Sequence, residues 1–166
     1  MKTAFLNTPI GILELKGDAN GLASLLFKDS DETNISEKVS TELLETVPAE
    51  LQETVSQLQE YFEGKRKEFN LKLSPTGTDF QRKVWRQLQK IPFGKTTSYQ
   101  QMANQLGDQK VIRAAASANG KNPISIIIPC HRVIGSDGSL TGYAGGLHRK
   151  KWLLEFESPS PQQSLF

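Results

Sequence analysis

Residues 98–120 read SYQQMANQLGDQKVIRAAASANG, two helical patterns on either side of one glycine. Ser98 and Gln101 form a capping box, in which the hydroxyl accepts from the Gln101 amide and the glutamine side chain reaches back to the Ser98 N–H. Gly107 closes the short helix so opened, and Asp108 is placed to cap another that runs through VIRAAASAN to Gly120. Two short helices joined by a tight glycine turn predict a helix-turn-helix. In the second helix Val111, Ala114, Ala115 and Ala118 share one face, suited to packing on the first, while Arg113, Ala116, Ser117 and Gly120 share another. Small side chains around one long cation let a helix approach a flat surface, and beside a DNA groove the arginine can reach into the base stack. The same spacing also fits a tightly packed alanine helix with a single surface arginine.

Upstream, Thr78 and Gln81 form another capping box, with Phe80, Val84 and Leu88 along one helix face and Ile91-Pro92-Phe93-Gly94 as the breaker. LSPTGT at 73–78 reads as a linker. Before it, FLNTPIGILELKG and NGLASLLFKD read as strands, DSDETNISEK as a polar loop and EFNLKL as a short strand. Between them, Val47 to Phe62 spaces Leu51, Val55, Leu58 and Phe62 helically and stops at Gly64. The expected domains are therefore a 1–74 scaffold, a 75–157 unit holding the helix-turn-helix, and a flexible tail at 158–166. The expected class is α/β, a small sheet-plus-helix domain followed by a mostly helical one.

A chain of 166 residues is long enough to bury a core. No apolar run approaches the roughly 20 residues of a membrane span, and MKTAFLNTPIGILELKG lacks the apolar stretch and cleavage site of a secretory signal. One cysteine cannot form an internal disulfide, which fits a reducing compartment. With only two histidines beside it, a protein-only zinc site is not expected. These features predict a cytoplasmic protein without metal or cofactor. Charge is split: residues 1–74 carry 8 Lys+Arg against 13 Asp+Glu, and residues 75–166 carry 12 against 5. A basic half beside an acidic one points to one part facing a polyanion.

The lone cysteine lies in IIIPCHRV, residues 126–133. ISIII at 124–128 reads as a buried strand ended by Pro129, which fixes φ and donates no hydrogen bond. A buried cysteine is often an inert small hydrophobe. A free thiol with a pKa near 8.5 needs a base to become nucleophilic, and His131 is the nearest candidate. Neighbours on an extended chain point apart, so a bridging water between Cys130 and His131 suits the geometry better than direct contact. Such a histidine needs a carboxylate partner, and few exist in this half: Asp79, Asp108, Asp137, Glu155 and Glu157. His148, in a basic stretch, reads as a surface residue.

IPFGKTTSYQQMA and VIRAAASANGKNPISIIIPCHRVIGSDGSLTGYAGGLHRKKWLLEFE closely resemble the O6-alkylguanine-DNA alkyltransferases, also called methylated-DNA–protein-cysteine methyltransferases. The likeness runs from about Phe80 to Glu157; over residues 1–74 it is a generic match to the family's variable, RNase H-like first domain. What it implies is direct reversal of DNA damage. The base is flipped from double-stranded DNA through a minor-groove-bound helix-turn-helix, and the alkyl group of O6-alkylguanine, or of O4-alkylthymine, moves irreversibly to Cys130. By the same resemblance His131 acts through water with Glu157 as its partner, and Asn122 ties the second helix of the motif to the active-site turn. Tyr99 offers its hydroxyl to the flipped base and Arg113 fills the space left behind. Gln81, Gln100 and Ser136 contact the DNA backbone, while Val133, Tyr143, Ala144 and Gly145 line the guanine pocket. Ala144 departs from the serine that the family can carry there. No cofactor is implied, and the protein would act as a monomer.

After WLLEFE the chain runs through SPSP to QQSLF. Gln162–Phe166 resembles the short peptides that dock on the bacterial sliding clamp, two apolar anchors on a flexible tether. Two further readings compete with alkyl transfer: a damage-binding module without chemistry, and a cysteine hydrolase using Cys130 with a histidine.

Overall fold

Turns after Thr8 and Asp18 fold the first 28 residues into three antiparallel strands: β1 (Lys2–Thr8), β2 (Gly11–Asp18) and β3 (Gly21–Lys28), in that order. The computed structural model describes residues 1–28 and 47–158. The polar stretch DSDETNISEK and the expected clamp-like peptide Gln162–Phe166 lie outside the described residues. The chain divides into two compact units, Met1–Thr76 with Pro123–Ser125, and Gly77–Asn122 with Ile126–Phe166. The break falls inside LSPTGT.

In the first unit Ala4 stands opposite Leu15 and Leu6 opposite Leu13, and Leu15 pairs with Leu25 on the other side. All five are buried, so one sheet face is apolar. Helix α1 (Ala49–Phe62) contacts all three strands and buries Leu51, Val55 and Leu58. Tyr61, rather than the expected Phe62, completes that stripe. EFNLKL does not form a strand: only Leu73 makes a single bridge, to Leu22. The buried Gln57 side chain takes the place of a neighbouring strand, accepting from the Asn70 N–H at 2.9 Å and donating to its carbonyl at 3.1 Å.

The second unit holds α2 (Asp79–Leu88), β4 (Thr97–Ser98), α3 (Tyr99–Gln105), α4 (Ile112–Gly120), β5 (Val133–Ile134) and α5 (Leu147–Glu157). Both capping boxes form, with Gln81 N donating to Thr78 Oγ1 at 3.1 Å and Gln101 N to Ser98 Oγ at 3.0 Å. In α2 the inward face is Val84, Trp85 and Leu88, with Phe80 only half-buried. Trp85 Nε1 donates to the Ala118 carbonyl at 2.9 Å, pinning α4 to α2.

Helices α3 and α4 are joined by a turn in which Gly107 has φ +97°, a conformation glycine adopts without the Cβ penalty. Its N–H and that of Asp108 return to the Asn104 and Ala103 carbonyls and satisfy the helix end. Asp108 caps a 3-10 turn, Gln109–Val111, before α4 begins. The expected packing face of α4 is corrected at one position: Ala115, Ala118 and Asn119 are buried, whereas Ala114 is exposed beside Arg113. Ala114 lies about 100° around the helix from Ala115, too far to share its contacts.

The expected strand at 124–128 is also corrected. These residues are buried, but Ile124 makes one bridge to Leu25 and the chain then turns, with Ile126 at φ +70°. A β-branched residue there costs about 1–3 kcal/mol and persists only when packing over-determines it. Cys130–Arg132 follows as a 3-10 turn and leads into β5, paired in parallel with β4 through Thr97–Val133 and Ser98–Ile134. The cysteine therefore precedes a short strand rather than ending one, and the extended-chain argument that points it away from His131 does not apply.

Candidate active site

Cys130 is 4% exposed. Its N–H donates to the Ile128 carbonyl at 2.8 Å, and Asn122 Nδ2 donates to the same oxygen at 2.7 Å. The Asn122 side chain also bonds the thiol. Burial pushes the Cys130 pKa up from the ordinary thiol value; the Asn122 hydrogen bond and the nearby Lys150 charge oppose it without reversing it. In the free protein the sulfur is a held, protonated thiol. The thiol therefore rests neutral, and His131 stays the nearest candidate to take its proton.

His131 is fully buried, and its Nε2 lies 2.9 Å from Glu157 Oε2. Burial lowers the histidine pKa against the pull of Glu157, so the ring is neutral at rest. Burial would lift Glu157, but the charge that His131 gains in acid, its hydrogen bond and the Arg132 guanidinium hold the carboxyl down at about 2. Because the imidazole is neutral, the lasting cation in this group is Arg132. An ionised carboxylate only accepts, so Nε2 carries the ring proton and Nδ1 keeps a lone pair. Nδ1 is buried without a hydrogen-bond partner among the described residues. Glu157 thus sets His131 as a proton acceptor at Nδ1.

Two residues of this site went unread in the sequence. Arg132 grips both Glu157 oxygens, and its Nη1 donates to the Ile91 carbonyl at 2.6 Å. Lys150 is fully buried, with Nζ donating to the Thr141 carbonyl at 2.6 Å. Burial lowers its pKa to about 8, a shift that only a Cys130 thiolate would oppose. A signal for Lys150 existed: with Leu153, Leu154 and Glu157 it makes a stripe at spacings of three, four and seven, all buried. The Tyr99 hydroxyl donates to the same Thr141 carbonyl at 3.5 Å, so Tyr99 and Lys150 meet at one oxygen.

Asn122, Cys130, His131 and Glu157 are thus brought into one buried cluster. Arg113, Gln100 and Ser136 are exposed, and no hydrogen bond links them to it among the described residues. Gln81 has its Oε1 committed to the Thr78 N–H at 2.9 Å. Val133 is buried, Tyr143 half-buried and Ala144 exposed; the buried Gly145 accepts from Arg149 Nη1 at 2.9 Å. His148 is exposed. Among the described residues, no group of three or more His, Cys, Asp or Glu could hold a metal ion, and no helix is long and apolar enough to cross a membrane.

A sheet-and-helix unit and a helix-turn-helix unit with a buried thiol define the class of protein. Residues 79–159 match the family described as 6-O-methylguanine DNA methyltransferase, DNA binding domain, and residues 1–75 match its ribonuclease-like domain. The chain belongs to that family. It is 45% identical over 152 residues to the methylated-DNA–protein-cysteine methyltransferase of Methanosarcina barkeri, covering 92% of this chain and 94% of that one. The crystal structure of the Mycobacterium tuberculosis O6-methylguanine methyltransferase superposes with a TM-score of 0.79 at 39% identity, covering 98% of this chain and 96% of that one. The same organism's OGT in complex with DNA gives 0.78 at 41%, covering 98% and 97%.

Proposed function

We propose that this protein repairs DNA by transferring the alkyl group of O6-alkylguanine to the sulfur of Cys130, once per molecule. The carrying observation is the buried thiol hydrogen-bonded by Asn122 in the same cluster as an imidazole whose Nδ1 is free to accept a proton. The lesion atom is hidden in a duplex, so the base leaves the stack at a cost of a few kcal/mol. Arg113, exposed on α4, would take its place, and Gln81, Gln100 and Ser136 would hold backbone phosphates, which position without reading sequence.

As the base enters, the Cys130 proton passes through water to His131 Nδ1, and the imidazolium is stabilised by Glu157. Sulfur forms a bond to the alkyl carbon as the bond from that carbon to O6 breaks. Tyr99 donates its hydroxyl proton to a ring nitrogen of the leaving guanine and regains one from solvent. Val133, Tyr143, Ala144 and Gly145 would line the pocket. The thioether has no route back, so activity ends at one equivalent. The same attack would serve O4-alkylthymine.

Intact-mass spectrometry after incubation with an oligonucleotide containing O6-methylguanine tests this. The expected result is one added methyl, located on Cys130 and absent from Cys130→Ser. Repair of many lesions per molecule, or lesion loss without a mass change, refutes it. We further propose a monomer acting in the cytoplasm, with Gln162–Phe166 docking on the sliding clamp; unchanged clamp affinity after deletion of those five residues would end the latter idea.

A further inference from the structure

A cleft of about 470 Å³ opens in the second unit, between the α2–β4 connection and α3, and none of the residues assigned above to alkyl transfer or DNA contact lines it. Lys90, Lys95 and Thr96 line one side, and Gln101, Asn104 and Gln105 the other. No carboxylate lines it. Neither lysine has an ion-pair or hydrogen-bond partner for its ammonium among the described residues.

The amides are oriented by their own bonds. Gln101 Oε1 is occupied by Thr97 Oγ1 at 3.1 Å and by the Ser98 N–H at 3.2 Å, leaving its NH2 as the available end. Gln105 Oε1 accepts from Gln87 Nε2 at 2.9 Å, which likewise leaves an NH2. The cleft therefore presents two cations, amide N–H groups and a hydroxyl with no negative charge to balance them. Its inner wall is fixed: the Ile91 carbonyl is held by Arg132, and Thr97 is paired with Val133. A donor-rich, carboxylate-free recess on a fixed wall suits a tetrahedral oxyanion, whose several acceptor oxygens can use donors arriving from two sides.

We propose that this cleft is a phosphate-binding site separate from the thiol centre, taking either a backbone phosphate of bound nucleic acid or a free phosphate group. Lys90 and Lys95 supply the charge, and the Gln101 and Gln105 amides supply direction. Both lysines are exposed, so replacing them leaves the core untouched.

The test is a titration of the full chain with inorganic phosphate, followed by backbone amide NMR shifts at constant ionic strength. Saturable shifts at Thr96, Gln101, Asn104 and Gln105, weakened at least tenfold in Lys90→Ala/Lys95→Ala, are expected. No saturable shift there, or the same affinity in the double variant, overturns the site. The source of the phosphate is then read from duplex affinity against salt. A slope reduced by about 1–2 in the double variant assigns the site to phosphates of the bound duplex; an unchanged slope assigns it to a free phosphate group. Neither measurement needs a lesion or a working thiol, so failure here leaves the repair reading standing, and the reverse also holds.

Discussion

Arg132 holds Glu157 by both carboxylate oxygens, Nε to Oε1 at 2.8 Å and Nη2 to Oε2 at 2.9 Å, in a pocket where both side chains are buried. The pair fixes the histidine that follows Cys130. Removing one partner of a buried pair strands the other charge, at about 3–5 kcal/mol. Arg132→Met should lose stability on that scale in urea denaturation and should slow single-turnover alkyl transfer, because Glu157 loses the two-point grip that holds it against the His131 ring. A variant as stable as the parent would show that Glu157 does not depend on the guanidinium.

The same group makes folding acid-sensitive in a defined window. Glu157 is held down at about 2 in the fold, against about 4.3 in an unfolded chain. Its stabilisation is complete above the unfolded value and is lost as pH falls towards 2, on the order of 3 kcal/mol. His131 adds to this from higher pH. Burial lowers its folded pKa, so stability also falls once pH drops below about 6.5, where the unfolded histidine gains a proton. Melting temperature should therefore decline in two stages between pH 7 and pH 2, and His131→Gln should remove the upper one. A flat profile down to pH 4 would contradict the buried neutral ring.

Thiol reactivity should run opposite to that of an activated cysteine. Burial raises the Cys130 pKa, while Asn122 and Lys150 restrain the rise. Iodoacetamide should modify the free protein slowly at neutral pH, and the rate should climb only at a pH above that at which an ordinary thiol ionises. Asn122→Ala and Lys150→Met should each move that climb to still higher pH. Asn122→Ala should also cost about 0.5–1.5 kcal/mol, since it removes one of the two donors on the buried Ile128 carbonyl and leaves the Cys130 N–H. Rapid modification at pH 7 in the absence of DNA would refute the account of a held thiol.

Helix punctuation was legible in the sequence because it is local. Thr78 with Gln81, Ser98 with Gln101, and Gly107 act within one turn of chain, and each forms as read. The order Asn122, Cys130, His131, Glu157 was legible only through the family's motif, since nothing in the spacing says that residues 131 and 157 meet. What was lost depends on tertiary packing. ISIII has the composition of a strand, yet it is folded by burial into a turn that strains Ile126. Lys150 sits in a Lys-Lys pair that looks like surface charge until α5 is packed, and then it is fully buried. Cys130 beside His131 suggests activation, but desolvation outweighs proximity.

Arg113 separates DNA handling from chemistry most cleanly. Its side chain is exposed on α4 and has no hydrogen bond or ion pair among the described residues, so Arg113→Ala should change stability by less than about 0.5 kcal/mol. If it fills the stack vacated by the flipped base, the loss falls only on substrates that must be extruded. Transfer from lesion-bearing duplex should drop by at least tenfold, about 1.4 kcal/mol of the flipping cost left uncompensated. Transfer from a free O6-alkylguanine base, which has no stack to leave, should be unchanged. Equal losses on both substrates would place Arg113 in the chemistry instead, and no loss on either would leave α4 as a packed alanine helix with a surface cation.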